Sequence, residues 1–404
     1  MNIAVIGAGA AGFFAAISAK QHHPEAVVHL FEKTNKVLAK VRISGGGRCN
    51  VTHACFDNDL LIRHYPRGEK FLKKSFHQFQ VQDTIDWFTN RGVALKTEKD
   101  QRMFPTTDDS SSIVDALTSA YKNLGGQLHM QSAISTLTPK NPGFEAIVNS
   151  QTYFFDRVII ATGGAPKEAG LQWLKRLGHK IVMPVPSLFT FNLPHHPVTE
   201  LMGAVAPHVK VRVEGEKFVS KGPLLITHWG MSGPAILKLS AFSARLLAEC
   251  QYETTFVVSW LGDYTEDQVR ALFEDQIKHK PMAQLSSFRL PEVPKRLWLY
   301  LLDTLDIPSD KRWNEFSKKH RNQLLNALLY DRYQMSGKTT FKEEFVTCGG
   351  VSLSDVDPHT LESKRQNGLY FAGEVLDIDG VTGGFNFQAA WTTGFIAGKL
   401  QSRA

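Results

Sequence analysis

Three glycines near the start of the chain have the spacing of a phosphate-binding turn. Gly7, Gly9 and Gly12 form a G-x-G-x-x-G pattern, and Glu32 follows 20 residues after the last glycine. Such glycines allow a tight turn, a close approach of the backbone to a pyrophosphate and close packing of a helix, while the acidic side chain accepts hydrogen bonds from a ribose. The N-terminus of the following helix attracts the phosphates. These residues predict a dinucleotide site.

The elements around the pattern have the order that such a site requires. Residues 2–6 form a short apolar run typical of a buried strand, residues 11–22 are typical of a helix, and residues 26–33 form a second apolar run that contains Glu32. The glycine pattern alone is weak evidence, but inside a strand–helix–strand unit it is specific. The beginning of the chain is therefore predicted to be a βαβ unit.

A second glycine cluster lies in the stretch ISGGGRCNVT, residues 43–52. Consecutive glycines let backbone N–H groups form an anion-binding nest, although a flexible surface loop is an alternative. Arg48 could neutralise a phosphate or pair with a buried carboxylate. Cys49 is a candidate redox thiol, but Cys55 does not give the CxxC spacing of a dithiol, and we expect Cys49 to be a packed structural residue.

Composition limits the class of protein. The chain has 404 residues, of which 43% are hydrophobic and 21% charged, so we expect a globular protein of two or three units. The net charge of +7 suits an anionic ligand, but no block of five or six basic residues favours nucleic acid. Four cysteines without CxxC spacing predict neither a disulfide framework nor a metal site, and favour a cytoplasmic location.

The uncharged run of residues 3–19 raises the question of a membrane segment. It lacks a basic n-region and is shorter than a typical membrane span. We expect no targeting segment and no membrane partner.

Changes in composition divide the chain. Residues 1–190 and 343–404 alternate between strand-like and helix-like segments; the strand at 369–373 leads to a glycine-rich turn and a helix that begins near Phe385. Residues 191–262 consist of short strand-like segments separated by proline and glycine. Residues 263–342 show helical spacing, including a predicted helix over 313–333. Neither of these two segments fits a parallel sheet, and both are predicted to be insertions.

Five blocks carry a family resemblance: GAGAAG (7–12), KVLAKVRISGGGRCNVT (36–52), ATGG (161–164), THWGMSGPA (227–235) and GLYFAGEVLDIDGVTGGFNFQAAWTTG (368–394). In order and spacing they resemble the BaiN/YhiN-like flavoproteins, a family that includes aminoacetone oxidases. The resemblance implies an α/β fold with non-covalent FAD in a Rossmann-type domain of the two-dinucleotide flavoprotein type. It also implies that residues 191–262 form a small β-barrel and residues 263–342 a helical insert.

The resemblance and the motifs together give a set of cofactor-binding residues. In the first half they are Gly7, Gly9, Ala10, Ala11, Gly12, Glu32, Lys33, Ser44, Gly45, Gly46, Gly47, Arg48 and Asn50. In the rest of the chain they are Ala161, Thr162, Gly163, Gly373, Glu374, Gly383, Gly384, Phe385 and Asn386. By resemblance, Gly373 and Glu374 hold the ribityl chain, and residues 383–386 open a helix whose N-terminus stabilises negative charge on the flavin pyrimidine.

The proton donor is less well defined. His228 and Thr227 are candidates for proton transfer or substrate binding, although a histidine hydrogen-bonded within the barrel is an alternative. The sequence departs from the family after Gly164, where a longer glycine-rich segment is usual, and at His53, where asparagine is usual. These departures leave open any function tied to that segment, including access for a pyridine nucleotide.

Several activities are compatible with these features. No second G-x-G-x-x-G unit predicts a separate NAD(P)H domain, so NAD(P)H would dock transiently, or the substrate would reduce FAD and oxygen would reoxidise it. The leading hypothesis is an FAD-dependent oxidoreductase of a small organic substrate, in the form of an NAD(P)H-linked reductase. The alternatives are an oxygen-using amine oxidase, a flavin-dependent RNA-modifying protein, and an FAD-binding protein with a non-enzymatic role. The sequence does not fix the oligomeric state.

Overall fold

The computed structural model describes residues 1–339 and 346–402. These residues divide into two compact units, one made of 1–187 with 346–402 and the other of 188–339. The boundary predicted at 342/343 and the last two residues of the chain lie outside the described residues. A search of the described helices finds none that is both long and apolar enough to cross a membrane.

The strands are numbered in chain order. They are β1 (Asn2–Ile6), β2 (Val27–Phe31), β3 (Thr52–His53), β4 (Leu95–Thr97), β5 (Arg102–Pro105), β6 (Gln127–His129), β7 (Ile134–Pro139), β8 (Phe144–Val148), β9 (Gln151–Phe155), β10 (Arg157–Ile160), β11 (Ile181–Pro186), β12 (Thr190–Asn192), β13 (Val205–Val213), β14 (Val219–Thr227), β15 (Gly230–Ser232), β16 (Glu253–Ser259), β17 (Asp331–Ser336), β18 (Lys338–Thr339), β19 (Thr347–Val351) and β20 (Leu369–Phe371).

The α-helices are numbered in the same way. They are α1 (Ala10–His22), α2 (Ala39–Ile43), α3 (Asn58–Leu61), α4 (Glu69–Phe76), α5 (Val81–Thr89), α6 (Ser111–Asn123), α7 (Gln172–Arg176), α8 (Pro234–Phe242), α9 (Ala244–Glu249), α10 (Glu266–His279), α11 (Lys295–Thr304), α12 (Lys318–Leu329) and α13 (Phe385–Gly398). Short 3₁₀ turns lie at Ile62–His64, Glu168–Leu171, Pro197–Leu201, Leu285–Ser287, Trp313–Glu315, Leu353–Asp355 and Gly373–Val375.

A five-stranded parallel sheet in the order β20-β10-β1-β2-β6 forms the centre of the first unit. Strands β1 and β10 are almost continuously buried and apolar, which is typical of parallel strands covered on both faces. The predicted βαβ unit is confirmed as β1, α1 and β2. On one face of β2, the Phe31 ring packs edge-on against Phe155 of β9, with ring centroids 5.8 Å apart.

Smaller sheets complete the first unit. Strands β7, β8 and β9 form an antiparallel sheet between β6 and β10 in the chain, β3 and β4 flank β5, and β11 pairs with β19. The sequence analysis did not predict these sheets. Their strands pair with partners that local periodicity does not identify.

The second unit is built on a seven-stranded sheet in the order β17-β16-β13-β14-β15-β12-β18. The strands at the two ends of this order, β17 and β18, are consecutive in the chain and are separated by one residue, Gly337. Helices α10, α11 and α12 share one apolar cluster with this sheet. The largest side chains of the cluster are Trp260, Trp298 and Trp313.

One predicted helix of this unit is wrong at both ends. The helix predicted over 313–333 is confirmed only for α12, Lys318–Leu329, and residues 331–336 form strand β17. The side chains of Tyr333 and Met335 are buried, whereas Arg332 and Gln334 are exposed. This alternation has the period of a half-buried strand, and pairing with β16 fixes it.

Candidate functional site

Four turns of the first unit lie at one edge of the parallel sheet. Residues 7–9 follow β1, residues 32–34 follow β2, residues 161–164 follow β10, and residues 372–375 follow β20. Because these strands are parallel, their carboxyl ends lie at the same edge, which is where open α/β sheets bind ligands. The fold therefore brings the predicted residues of these four turns together.

The glycines of the first turn differ in their surroundings. Gly7 has a φ of 104°, and a Cβ on it would lie 2.5 Å from the carbonyl oxygen of Ala161. A Cβ on Gly12 would lie 1.7 Å from the carbonyl oxygen of Gly7. A Cβ on Gly9, in contrast, would meet no atom within 4 Å. Gly7 and Gly12 are thus needed for packing of the chain, whereas Gly9 faces space that a ligand can enter.

Glu32 is fixed against the first turn. One carboxylate oxygen accepts a hydrogen bond from the backbone N–H of Ala8 at 3.1 Å, and the other accepts bonds from the N–H and hydroxyl of Thr34, both at 2.9 Å. These bonds orient the carboxylate at the end of β2. Lys33 next to it is exposed.

Helices α1 and α13 pack side by side and run in the same direction. A Cβ on Gly394 would lie 2.6 Å from the carbonyl oxygen of Ala11, and one on Gly398 would lie 2.4 Å from that of Ala15. The contacts therefore advance along both helices together. Gly394 is nine residues into its helix and Ala11 is one residue into its own, so the N-terminus of α13 reaches about 12 Å further along the pair. The N-termini of α1 and α13, which carry the positive ends of the helix dipoles, therefore point in the same direction but lie at different positions along the pair.

The triple-glycine loop has left-handed backbone throughout. Gly45, Gly46 and Gly47 have φ values of 59°, 70° and 86°, directly after Ser44 at the end of α2. A Cβ on Gly45 would lie 2.8 Å from the ring of Phe104, whereas Gly46 and Gly47 have no atom within 4 Å of that position. The loop is therefore packed at its first glycine and open at the next two.

Arg48 pairs with carboxylates that lie just beyond the ends of β4 and β5. Its Nη1 donates to Glu98 at 2.6 Å and to Asp108 at 3.4 Å, and its guanidinium carbon lies 4.0 Å from the centre of the Phe104 ring. The hydrogen bond to Glu98 is the main cause that raises the pKa of Arg48. Of the two roles open in the sequence, the structure shows the ion pair, although both carboxylates are partly exposed. A contact of Arg48 with phosphate stays a prediction.

Asn50 joins the triple-glycine loop to the turn that precedes α13. Its side-chain oxygen accepts a hydrogen bond from the N–H of Gly384 at 2.9 Å, and its side-chain nitrogen donates to the carbonyl oxygen of Thr52 at 3.0 Å. Gly384 has a φ of 93°, and a Cβ on it would lie 2.6 Å from the Thr52 carbonyl. Asn50 is buried. Its role in this structure is to hold the turn that begins α13.

Aromatic rings surround the first residue of α13. The Phe385 ring stacks against those of both His53 and His64, with centroids 4.5 and 4.2 Å away, and the two histidine rings are 6.0 Å from each other. Tyr65 donates its hydroxyl hydrogen to the Phe385 carbonyl oxygen at 2.7 Å. The Nδ1 of His53 lies 3.0 Å from the carbonyl oxygen of Gly383, and since a carbonyl only accepts, Nδ1 is the donor. The N-terminal end of α13 is therefore held on several sides.

Three further contacts fix the C-terminal turns. Asn386 and Gly380 exchange two hydrogen bonds, from the Gly380 N–H to Oδ1 at 2.8 Å and from Nδ2 to the Gly380 carbonyl oxygen at 2.9 Å. A Cβ on Gly373 would lie 2.8 Å from the Cβ of Ala11, so the turn after β20 touches the start of α1. Glu374 pairs with Lys40 at 2.6 Å.

The turn after β10 leads to a residue that the sequence analysis missed. Ala161 is buried, Thr162 is exposed and Gly163 has a φ of 75°. A Cβ on Gly164 would lie 2.2 Å from the hydroxyl oxygen of Thr347, the first residue of β19. A threonine in a buried strand has no spacing signal of its own. The available signal was the pair of glycines two and three residues later in TCGG.

The two candidate proton donors belong to the second unit. Thr227 ends β14, and its hydroxyl donates to the carbonyl oxygen of Gly230 at 3.0 Å, within the turn to β15. His228 is exposed in that turn, with its ring centroid 3.8 Å from that of Trp229. The turn leads into strand β15, which precedes α8. Their catalytic role stays a prediction.

Cys49 has the properties of a packed residue. It is completely buried, and burial raises its pKa to about 12, against the opposing effect of a hydrogen bond with Ser44. Cys49 and Cys55 are both free thiols. Among residues 1–339 and 346–402, no group of three or more histidine, cysteine or carboxylate side chains is arranged to hold a metal ion.

Comparison with known proteins decides the family. Residues 1–400 match the family described as the HI0933-like protein Rossmann domain. The chain belongs to the HI0933-like family. The resemblance inferred from the five sequence blocks is thereby confirmed, and this HI0933-like protein is a flavin-dependent oxidoreductase with a Rossmann-type FAD-binding fold.

Curated relatives match over nearly the full length. The 3-dehydro-bile acid delta(4,6)-reductase of Clostridium scindens is 27% identical over 406 residues, which cover 98% of each chain. The ribosomal RNA dihydrouridine synthase of Escherichia coli is 29% identical over 406 residues, covering 96% of this chain and 95% of that protein. Its counterpart in Haemophilus influenzae is 27% identical over 413 residues, with 99% and 98% covered.

A solved structure shares the fold. The 3-ketosteroid delta1-dehydrogenase from Sterolibacterium denitrificans, solved with 1,4-androstadiene-3,17-dione, matches with a TM-score of 0.51 over 98% of both chains. The identity is 12%, so this likeness shows the fold alone.

The residues at the sheet edge fit FAD by three independent features. Gly9 leaves space at the N-terminus of α1, where a pyrophosphate is favoured. The N-terminus of α13 lies about 12 Å beyond that of α1 along the helix pair, so a second positive helix end is available to the ligand. The hydroxyl of Thr347 is buried and has no hydrogen-bond partner among the described residues, as expected for a group that meets a ligand.

Proposed function

We propose that the protein holds FAD non-covalently along this sheet edge and reduces a carbon–carbon double bond conjugated with a carbonyl group. The first turn carries the proposal, because its chain is closed by Gly7 and Gly12 but open at Gly9, directly before a helix N-terminus. Glu32 would bind the adenosine ribose, residues 9–11 the pyrophosphate, and Gly373 and Glu374 the ribityl chain. Residues 383–386 would face the flavin pyrimidine.

The names of the two kinds of relative support this reaction class. One is named a 3-dehydro-bile acid delta(4,6)-reductase and the other a ribosomal RNA dihydrouridine synthase, and both names denote the addition of hydrogen to a double bond. FAD held here in its reduced form would supply hydride chemistry, so that one carbon of such a bond would gain a hydride and the neighbouring carbon a proton. Among the protein's own groups, the N-terminus of α13 favours negative charge close to it. The contacts of the Phe385 ring with His53 and His64 orient this end of the helix.

The electron donor and the proton donor are also part of the proposal. NADPH or NADH would dock transiently, since the sequence has no second dinucleotide pattern. His228 and Thr227 are proposed for the proton. His53 is a further candidate, because its Nδ1 is bound to the Gly383 carbonyl oxygen and this bond orients the imidazole at the start of α13.

A second candidate substrate, RNA, is favoured by the charge distribution. Residues 33–74 contain ten Lys and Arg against three Asp and Glu, a balance of +7 that equals the net charge of the whole chain. The basic residues of this segment are spaced out, so they do not form a contiguous basic block in the sequence. The exposed members are Lys33, Lys36, Lys40, Arg42, Arg63, Lys70, Lys73 and Lys74. A polyanion would bind such a surface in a salt-dependent way.

The test is an anaerobic titration of FAD-loaded protein followed by absorbance. We expect NADPH or NADH to bleach the flavin, and a 4-en-3-one steroid or unmodified ribosomal RNA to restore its colour by accepting the electrons. Reoxidation by RNA that weakens as salt is added would select the second candidate. Flavin that stays oxidised with both nucleotides, together with oxygen uptake on addition of aminoacetone, would replace the reductase proposal by an amine oxidase. A protein that does not bind FAD would contradict the proposal altogether.

A further inference from the structure

Thr347 has a buried hydroxyl without a hydrogen-bond partner among the described residues. The residue is 1% exposed, and its Oγ1 is completely shielded from solvent. Leaving a hydroxyl unpaired in the interior of a protein is destabilising, so native structures rarely keep one without a reason. A ligand that supplies the missing partner is one such reason.

The position of Thr347 points to the ligand. Its hydroxyl is next to Gly164, on which a Cβ would lie 2.2 Å from Oγ1, and the same Cβ would lie 3.8 Å from the Cβ of Glu374. Thr347 thus adjoins the far end of the turn after β10 and the turn after β20. The near end of the first of these turns, at Ala161, contacts Gly7. The hydroxyl is therefore on the side of Glu374, where the ribityl chain is proposed, and not at the pyrophosphate turn.

The strand that carries Thr347 is fixed to the same region. Strand β19 pairs with β11, and the N–H of Gly349 donates to Asp377 at 2.8 Å. A Cβ on Gly350 would lie 2.4 Å from the carbonyl oxygen of Val375. These contacts hold β19 against residues 373–377, so the hydroxyl has a defined position before any ligand binds.

We propose that the Thr347 hydroxyl forms a hydrogen bond with the ribityl–isoalloxazine half of FAD. The inference rests on the proposed cofactor site. It assigns Thr347 as a binding residue of that half alone. The adenosine half is bound by other groups, at Glu32 and the first turn.

Substitution of Thr347 by valine separates this role from a structural one. Valine has nearly the same shape without the hydroxyl, so the protein without FAD should be as stable as the wild type or unfold at a temperature a few degrees higher, since an unpaired polar group is removed. The dissociation constant for FAD should rise about threefold to tenfold, as expected for one lost hydrogen bond. The dissociation constant for ADP, which lacks the ribityl and flavin groups, should stay the same. Thr347→Ser should retain the wild-type affinity for FAD.

A matched control is Thr392→Val. The Thr392 hydroxyl is equally buried but donates to the Phe79 carbonyl oxygen at 2.9 Å and accepts from Gln388 at 3.1 Å. Its loss should lower the unfolding temperature of the FAD-free protein and leave FAD affinity unchanged. We therefore expect Thr347→Val to lower FAD affinity without loss of stability, and Thr392→Val to lower stability without loss of FAD affinity. Thermal unfolding measures the stability, and fluorescence titration with FAD and ADP measures the affinities.

The outcomes separate this inference from the proposed function. Wild-type protein that binds ADP and FAD, with a Thr347→Val variant that has wild-type FAD affinity, would overturn the role of Thr347 and leave the cofactor site intact. Equal losses of FAD and ADP affinity would also overturn it, because they indicate a disturbed fold. Wild-type protein that binds neither ligand would refute the proposed function itself. If the valine variant does not fold, Thr347→Ala removes the same hydroxyl and is judged by the same titrations.

Discussion

The two glycine-rich turns that begin α1 and α13 use their glycines in different ways. In the first turn, Gly7 and Gly12 pack against backbone close by at the same sheet edge, and Gly9 faces open space. In the second, Gly384 packs against Thr52, and a Cβ added to Gly384 would clash with the Thr52 backbone. The first turn is thus held by contacts within its own strand–helix unit and with Ala161 in the turn after β10, whereas the second is held by residues 50–53, more than 300 residues away in the chain.

This difference has a consequence for how each half of the site is maintained. The backbone of the first turn is held by the contacts of Gly7 with Ala161 and of Gly12 with Gly7, while Gly9 is left open. The second turn depends on Asn50 and His53, which bind Gly384 and Gly383 respectively. We therefore expect each substitution in the first turn to affect either folding or ligand binding. A substitution next to the second turn should lower stability and ligand affinity together, each by a moderate amount.

The largest effect is expected for Gly12→Ala. The added Cβ would lie 1.7 Å from the Gly7 carbonyl oxygen, and this clash can be relieved only if the backbone moves. We therefore expect the free energy of unfolding to fall by more than about 4 kcal/mol. Thermal unfolding and the yield of soluble protein measure this.

Gly9→Ala is the matched control in the same turn. Gly9 has a φ of −88°, which alanine adopts without strain, and its Cβ would meet nothing within 4 Å. The variant should fold like the wild type and bind FAD more weakly. Similar unfolding temperatures for the two alanine variants would contradict the division of roles within the first turn.

The contrast between the turns also explains how much of the molecule was predictable. The βαβ unit and the start of α13 were predicted because apolar periodicity and glycine spacing are local properties. The bond from Asn50 to Gly384, the carboxylate partners of Arg48 and the burial of Thr347 were not, since each depends on residues distant in the chain. Strand β17 was mistaken for helix because the helical pattern of α12 runs directly into it.

A moderate effect is expected for Asn50→Ala in the segment that holds the second turn. The change leaves the N–H of the half-buried Gly384 without its acceptor, which costs about 1–3 kcal/mol. Urea unfolding should show this loss, together with weaker FAD binding. Asn123→Ala, an exposed position at the end of α6, should change stability by less than about 0.5 kcal/mol. Equal stabilities of the two variants would mean that the second turn keeps its shape without Asn50.

The smallest effect concerns Cys49, which reports on the packing of the same segment. Burial raises its pKa to about 12 from 9.0, so at about pH 8 its thiolate is about a thousandfold less abundant than that of an ordinary thiol. Iodoacetamide should therefore modify the partly exposed Cys55 first and leave Cys49 intact. Because the pKa is raised in the folded state, the protonated thiol stabilises the fold below pH 9.0, and this contribution is lost as the pH rises toward 12.

Alkylation of Cys49 in Asn50→Ala then measures how far the second turn supports its neighbour. If the bond between Asn50 and Gly384 holds residues 49–52 in place, its loss should speed the modification of Cys49 while that of Cys55 stays constant. Peptide mass analysis after timed alkylation gives both rates in one sample. An unchanged rate at Cys49 would show that the segment is held by its pairing with β5 instead, through the bond from the Val51 N–H to the Met103 carbonyl oxygen at 2.9 Å.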